Sequence, residues 1–153
     1  MVKEYSLQVQ VVLYMNALEN IKRLVMKIDQ NIKYCSQFSK VNLVFFNNSE
    51  DYIDNEKITL NINRITKLQF EIISVGRNIG HGAAHNLMNK SSSADLVWFL
   101  NPDGVPASNC LFNLMSKYTD ENLKNVVAVE AKQIPFDHPK VYEEKTGITE
   151  WAS

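Results

Sequence analysis

The chain has 153 residues, 45% of them hydrophobic and 22% charged, which is typical of one soluble globular domain and excludes an intrinsically disordered chain. Its 16 basic and 17 acidic residues leave a net charge of −1, so the composition gives no electrostatic footprint for nucleic acid. The N-terminus lacks the apolar core of a signal peptide, and no run approaches the roughly 20 apolar residues of a membrane span, so we expect a cytoplasmic protein without a transmembrane segment.

The first half of the chain alternates strand and helix. Residues 7–14, "LQVQVVLY", are predicted to form the first strand, because the run begins in alternation and ends solidly apolar. Apolar residues at helical spacing then predict a helix over residues 18–32, with Asn16 as its cap. Residues 41–46 repeat the strand pattern and run into the turn "NNSED", and a short helix is predicted between residues 53 and 68.

The second half continues the alternation. Residues 70–75 are predicted as the third strand, residues 83–89 as a helix, and residues 96–100 as a fourth strand covered on both faces, because it is almost continuously apolar. Ser108 is predicted to cap a further helix, and residues 126–130, "VVAVE", are predicted as a fifth strand. This order of elements predicts an α/β fold with a mostly parallel sheet.

Four side chains are assigned to the interior. Trp98 and Phe99 lie in the fourth strand and, as large aromatic residues, are predicted to belong to the core. Cys35 and Cys110 lack the spacing of metal ligands and are predicted to be buried free thiols.

A glycine loop follows the third strand and precedes a helix. Backbone amides at Gly80 and Gly82 could approach a phosphate there, with the helix N-terminus adding a favourable field. A plain tight turn is the alternative, because a short Gly-x-Gly has many accidental matches. The amides Asn78 and Asn86 frame the glycines at every second position, together with Ala84, and a turn has no need of them. The two amides therefore favour a ligand-binding loop, with side chains directed at the ligand, over a plain turn.

A dinucleotide site is a second alternative. Asp103 follows the glycines by about 20 residues, near the spacing expected for an acid that binds a ribose. His85, however, occupies the place of the third glycine, where a side chain would obstruct close packing of helix on strand. We therefore do not favour a nicotinamide or flavin enzyme.

The stretch "VWFLNPDG" ends the fourth strand at an amide, a proline and a carboxylate. Ligands of open parallel sheets bind outside the carboxyl ends of the strands, so Asn101 and Asp103 are predicted to lie where a ligand binds. Asp103 could ligate a hard divalent cation or cap the turn, and both roles can hold at once.

We call residues 76–86, "GRNIGHGAAHN", the glycine segment; its two histidines, His81 and His85, are four residues apart. His81 is placed in the loop before the helix begins, away from the helical face of His85, and no third ligand is in view. We therefore do not predict a zinc site.

The motifs "NIGHGAAHN" and "LVWFLNPDGVP" together resemble the donor-binding part of inverting glycosyltransferases with the GT-A fold, in particular the rhamnosyltransferase-like members of family 2. Their usual pattern is Asn-x-Gly-x-Gly-x-Ala-x-Asn, an apolar strand, and Leu-Asn-Pro-Asp. The segment "KQIPFDHPKVYEEKTGITEW" is similar to the one that leads to their acceptor region. The resemblance implies a Rossmann-like, mostly parallel sheet flanked by helices, with the C-terminal part of the fold missing. Residues 1–131 would be the nucleotide-sugar-binding domain, and residues 132–153 an irregular segment leading to an absent acceptor region.

The resemblance also implies the site residues. Asp103 would match the last residue of the family's Asp-x-Asp-like metal motif and bind Mg or Mn, and Asn101 stands where many members have the first Asp of that motif. Asn16 ends a first-strand motif in which Met15 replaces the usual base-stacking Tyr, so Tyr14 would take that role. After the second strand the family typically has Asp-Asn-x-Ser, with the Asp bonding the base, whereas this chain has Phe46 followed by "NNS", Asn47 to Ser49. The predicted nucleotide-sugar-binding residues are Tyr14, Asn16, Asn47, Arg77, Asn78, Gly80, Gly82, Asn86, Asn101 and Asp103.

The activity that the resemblance implies is inverting transfer of a sugar from dTDP-rhamnose or a UDP-sugar to a glycan or lipid-linked acceptor in surface polysaccharide synthesis. The catalytic base would lie in the acceptor half, so none is assigned, and we expect this chain alone to bind donor without sustained turnover. The alternative is a non-catalytic or truncated nucleotide-binding module. We expect a cytoplasmic location, peripheral at the inner face of the membrane, and self-association through an unpaired sheet edge.

Overall fold

A computed structural model of the protein describes residues 4–49 and 54–132. The chain divides into two compact units, Met1–Phe112 and Asn113–Ser153. The first unit contains the sheet and three whole helices. An irregular segment was predicted for residues 132–153, and residues 133–153 of it lie outside the described residues.

Strands and helices alternate along the chain, as the apolar pattern predicts. The elements are β1 (Tyr5–Leu13), α1 (Leu18–Tyr34), β2 (Phe38–Asn47), α2 (Asn55–Asn63), β3 (Gln69–Ser74), α3 (His81–Lys90), β4 (Leu96–Leu100) and α4 (Cys110–Tyr118). Within the described residues, no helix is both long and apolar enough to cross a bilayer.

The four strands form one sheet in the order β3-β2-β1-β4, and every pair is parallel. The chain therefore moves outward from β1 to β3 and then crosses back over β1 to β4. Right-handed crossovers place α1 and α2 on one face of such a sheet and α3 on the other. This reversal makes the carboxyl ends of β1 and β4 a topological switch point, where open α/β sheets bind their ligands.

Alternate residues of the central strands fill two apolar layers. On the face that carries α3, Val12, Val44 and Phe46 pack against Ala84 and Met88 of the helix. The intervening residues of β1 and β2 point to the other face and are equally buried; they are Val9, Val11, Leu13, Leu43 and Phe45. Because both faces of β1 are covered, this strand is the rigid element on which the neighbouring loops are mounted.

The predicted fifth strand is wrong. Residues 126–130 have no regular structure, and Val127 is 95% exposed. An apolar run becomes a strand only when another strand pairs with it, and no described strand pairs with this one. The five-residue pattern carries no information about that partner.

Of the two aromatic residues of β4 that were assigned to the core, only one is buried. Trp98 is buried, as expected, but Phe99 is 53% exposed, so its assignment to the core is wrong. Successive residues of a strand point to opposite faces, so Phe99 lies on the face opposite Trp98, where its ring meets that of His85 and stays half exposed. Both cysteines are free, as predicted; Cys35 is buried, but Cys110 is only partly buried, so its assignment to the interior is wrong. Its partial burial raises the pKa of the thiol.

Candidate functional site

The carboxyl ends of the four strands meet at one edge of the sheet. Leu13 is in register with Asn47, Asn47 with Ser74, and Val11 with Leu100. Seven of the ten predicted site residues lie in the loops that follow these strands, and Asn47 is the last residue of β2. The other two, Gly82 and Asn86, lie on α3, the helix that follows the loop after β3. We call this region the carboxyl edge.

The loop after β1 exposes two large side chains. Met15 has a left-handed backbone, with φ of 53°, and its N–H donates to Ser49 Oγ at 2.9 Å. Asn16 Oδ1 accepts from the N–H of Tyr14 at 2.7 Å, which closes the turn. Tyr14 and Met15 are consequently 52% and 54% exposed. The predicted helix cap at Asn16 is wrong, because Ala17 occupies the N-cap position and the Asn16 amide is used in the turn.

The polar residues at the end of β2 and just after it, Asn47 to Ser49, are buried. Asn47 Nδ2 donates to Asn55 Oδ1 at 2.7 Å, and Asn47 Oδ1 accepts from the N–H of Ser49 at 3.1 Å. Ser49 Oγ also donates to Leu13 O at 3.4 Å, which joins this loop to the end of β1. Asn47 is only 3% exposed, so its amide shapes the turn and offers little surface to a ligand.

Asn48 joins this loop to the glycine segment. Its Nδ2 donates to Asn78 Oδ1 at 2.7 Å, and its Oδ1 accepts from the N–H of Ile79 at 2.8 Å. Its own N–H donates to Leu13 O at 2.8 Å. Sequence reasoning missed Asn48, although the signal was present, because Asn directly after a buried strand commonly uses its side chain to bond backbone in a turn.

The glycine segment brings the N-terminus of α3 to the same edge. Asn78 Oδ1 accepts from the N–H of Gly80 at 2.8 Å, and Gly80 has φ 82° and ψ 157°, a region that is essentially restricted to glycine. The first intrahelical bond runs from Ala84 N to Gly80 O, so the N–H groups before it have no acceptor inside the helix. No described side chain caps α3. This terminus can therefore receive an anion.

Gly82 lies in the first turn of α3 and has space in front of it. A Cβ built at Gly82 would meet no atom within 4 Å, and the positive φ values of this segment belong to Gly76 and Gly80. Gly82 therefore leaves the backbone accessible to a ligand, and its backbone conformation does not require glycine. Arg77 and Asn86 are exposed on either side of this turn.

The loop after β4 presents Asn101 and Asp103. Both are exposed, while the intervening Pro102 is buried, and the N–H of Gly104 donates to Asn101 O at 3.0 Å to close the turn. A Cβ at Gly104 would lie 3.2 Å from Asn101 O, so the turn is tight at this point.

The donor set at this loop suits a hard cation only when a ligand supplies further oxygens. Among the described residues, no three His, Cys, Asp or Glu side chains lie close enough together to hold a metal ion. Asp103 offers one carboxylate, and Mg²⁺ is commonly bound by one or two carboxylates together with substrate phosphates and water. The residues thus fit a cation shared with a diphosphate and do not fit a cage made by the protein alone.

A polar layer beneath α3 was also missed by sequence reasoning. The fully buried Gln10 of β1 donates from Nε2 to Asn89 Oδ1 at 2.8 Å and accepts from His85 Nδ1 at 2.9 Å. Burial, with the neighbouring His81, lowers the pKa of His85 from 6.5 to about 4. His81 is the first residue of α3, and its placement before the helix is wrong; its ring lies edge-on to that of His85, with 4.6 Å between centroids.

No model of a known protein family matches the chain, and no curated protein matches it in sequence. Among solved structures it is similar to the mannosyltransferase PcManGT from Pyrobaculum calidifontis in complex with GDP-Man and Mn²⁺, with a TM-score of 0.60 and 16% identity over 77% of this chain and 33% of that chain. It is also similar to TarS 1–349 from S. aureus, with a TM-score of 0.57 and 17% identity over 83% of this chain and 39% of that chain.

These likenesses concern the fold. The chain spans well under half the length of either structure, and at such identities a shared function does not follow from shared architecture. The predicted fold class is confirmed: the chain has a GT-A-like, Rossmann-like fold with a parallel sheet flanked by helices.

Proposed function

We propose that this chain binds a nucleoside diphosphate sugar at the carboxyl edge and forms the donor-binding part of a glycosyltransferase. The observation that carries the proposal is the N-terminus of α3, which reaches the switch-point edge through a glycine at a conformation restricted to glycine. The likeness to a mannosyltransferase in complex with GDP-Man and Mn²⁺ supports it.

The diphosphate would lie against the first turn of α3. Its negative charge is favoured by the helix dipole and by the N–H groups that precede Ala84 N. The open space before Gly82 allows close approach, and the exposed Arg77 guanidinium lies on the loop just before the helix, where it can pair with phosphate oxygens.

The nucleoside would lie against the loop after β1. Tyr14 offers an exposed aromatic face for a base, and Met15 offers a polarizable thioether beside it. Asn16, Asn47 and Asn78 act in this proposal by holding the turns, since their amides bond backbone or other amides of the edge. The buried position of Asn47 argues that any contact with the base is made by backbone or by neighbours.

Asp103, with Asn101 beside it, would hold Mg or Mn together with the diphosphate. A divalent cation at this place would neutralise charge on the departing diphosphate. Asn101→Asp is expected to strengthen metal binding, because it adds the second carboxylate that the loop lacks.

The reaction would be inverting displacement, in which an acceptor hydroxyl attacks the anomeric carbon while a carboxylate base removes its proton. We assign no residue to that base. The resemblance of the motifs favours dTDP-rhamnose or a UDP-sugar as donor and a glycan or lipid-linked acceptor of surface polysaccharide synthesis, so transfer would take place at the cytoplasmic side of a membrane.

Calorimetric titration with GDP, UDP and dTDP, with and without MnCl₂, tests the proposal. At least one nucleotide should bind, Mn²⁺ should tighten it, and Asp103→Asn should remove the tightening without changing the free energy of unfolding, because Asp103 is exposed. Glu71→Gln, which neutralises an exposed carboxylate on β3, is the matched control. Equal, metal-independent binding by the native chain and Asp103→Asn would contradict the assignment.

A further inference from the structure

Asn31 is a fully buried amide of α1, and two of its three side-chain hydrogen bonds leave its own helix. Its Nδ2 donates to Lys27 O and to Ala107 O, each at 2.9 Å, and its Oδ1 accepts from the N–H of Leu111 at 2.9 Å. Both Nδ2 protons are therefore used, and two of the three bonds reach residues that follow β4. A buried amide with this many partners is costly to replace, because each lost bond leaves a buried polar group unpaired.

These two bonds fix one end of the loop that carries Asp103. We define residues 101–107 as the metal-loop strap. One end of the strap is fixed by β4, where Leu100 is in register with Val11 of β1, and the other end is fixed at Ala107 by Asn31. Between them, Pro102 and Pro106 are buried and restrict the backbone, and the bond from Gly104 N to Asn101 O closes a tight turn.

A strap this short, held at both ends, determines where the Asp103 carboxylate lies. We propose that Asn31, which lies on α1 and is outside the carboxyl edge, is a positioning residue for Asp103. This inference rests on the proposed function, since it assigns a role in holding the metal and diphosphate. Capping of α4 does not by itself explain these bonds. Asn31 Oδ1 caps α4 by accepting from the N–H of Leu111, whereas Asn31 Nδ2 donates to Ala107 O, which also accepts from the N–H of Cys110.

The test compares Asn31→Ala with Asn61→Ala. Asn61 is the matched control, because its Nδ2 donates to Lys57 O four residues earlier in its own helix, as Asn31 does to Lys27 O, without bridging to a loop. Val105→Gly is the second variant, because Val105 is exposed and its replacement frees the strap backbone without removing a buried contact. Each full-length variant is titrated with GDP, UDP and dTDP in the presence and absence of MnCl₂.

We expect Asn31→Ala and Val105→Gly to reduce the Mn²⁺-dependent gain in affinity about tenfold, the lower end of the effect of removing groups that orient metal ligands. Their metal-free affinity should equal that of Asn61→Ala, since the hydrogen bonds of Asn31 given above join it to Lys27, Ala107 and Leu111, which lie outside the loops after β1, β2 and β3. A merely structural role would lower both affinities together. An unchanged Mn²⁺ gain in folded Asn31→Ala and in Val105→Gly would overturn the inference.

If the native chain binds no nucleotide, the proposed function is refuted, but the role of Asn31 can still be tested. The measurement is hydrogen exchange of the Gly104 amide. Exchange should be faster in Asn31→Ala than in Asn61→Ala, while amides of β1 and β2 keep their protection, because the turn bond to Asn101 O depends on the anchored strap. Equal exchange at Gly104 in the two variants would show that Asn31 does not hold the strap.

Discussion

The loops after β1, β2 and β3 hold one another, whereas the loop after β4 is held from a helix. Asn48 and Ser49 join the first three loops through side-chain bonds to Asn78, Ile79 and Met15. The loop after β4 is anchored by Asn31 of α1, which donates to Ala107 O. The edge therefore consists of a connected part, to which we assign the nucleoside and diphosphate, and a separately anchored part, to which we assign the cation. The two parts should therefore fail independently when they are mutated.

Asn48→Ala is expected to have the largest effect, because it disconnects two loops at once. It leaves the N–H of Ile79 without its acceptor, which should lower the free energy of unfolding by about 1–3 kcal/mol. Nucleotide affinity should fall equally with and without Mn²⁺, because the glycine segment loses its support. Urea denaturation and calorimetry measure the two effects.

The control for Asn48→Ala is Asn42→Ala, whose amide makes only a 3.5 Å contact with Glu71 Oε1 on the neighbouring strand. It should change neither quantity by more than about 0.5 kcal/mol. Loss of Mn²⁺-dependent affinity alone in Asn48→Ala would mean that the two parts of the edge are not separate.

Gly82→Val is expected to reduce nucleotide affinity about tenfold, or ~1.4 kcal/mol, with the fold intact. The new side chain would extend into the open space through which a phosphate approaches, and a helical backbone at this position accepts valine. Gly82→Ala, which adds only one carbon, should lose less. If both variants bind as tightly as the native chain while remaining folded, the first turn of α3 does not contact the diphosphate.

His85 should make the protein less stable in acid. Its pKa is about 4 in the folded protein against 6.5 ordinarily, so the unfolded chain binds the proton first, and stability that is present above pH 6.5 is lost as the pH falls toward 4. The imidazole is partly exposed, so the loss should be only of the order of 1 kcal/mol. Gln10 and Phe99 face His85 from β1 and β4 without titrating, which leaves His81 as the titratable neighbour.

Urea midpoints measured from pH 7.5 to 4 check this expectation. His85→Gln should lose less stability over that interval than the native chain, because it has no imidazole to protonate, while His81→Gln should change the slope less. Identical pH profiles for the native chain and His85→Gln would remove His85 as the cause.

Self-association through β4 is the smallest effect that we expect. This strand pairs only with β1 among the described strands, and Phe99 is exposed on it beside the His85 ring, with 4.9 Å between centroids. An apolar strand edge favours pairing with a second chain, and a charge on it opposes pairing. Phe99→Lys should therefore shift the mass measured by light scattering toward the monomer. A native chain that is monomeric at every concentration would contradict this prediction.

The elements of the sheet were predictable because each depends on a local pattern. Residues 96–100 were predicted as a strand and form β4 with the same bounds, since five consecutive apolar residues before Asn-Pro-Asp admit few other structures. The glycine segment was predicted to deliver a helix N-terminus, because Gly80 and Gly82 follow a strand, and α3 begins directly after Gly80. Residues 126–130 show the limit of such patterns, because a strand also needs a partner.

The ends of the strands and the polar residues that follow them can be predicted from the sequence, because hydrophobic period and turn chemistry are local properties. What those polar residues do depends on tertiary contacts. In the folded protein Asn47 is buried and bonds Asn55, and Asn48 links two loops through Asn78. Gln10 of β1 bonds His85 of α3. The fold also brings Asn31 to Ala107, 76 positions away. These roles depend on groups that are distant in the chain, and burial makes their hydrogen bonds obligatory only after the sheet has assembled.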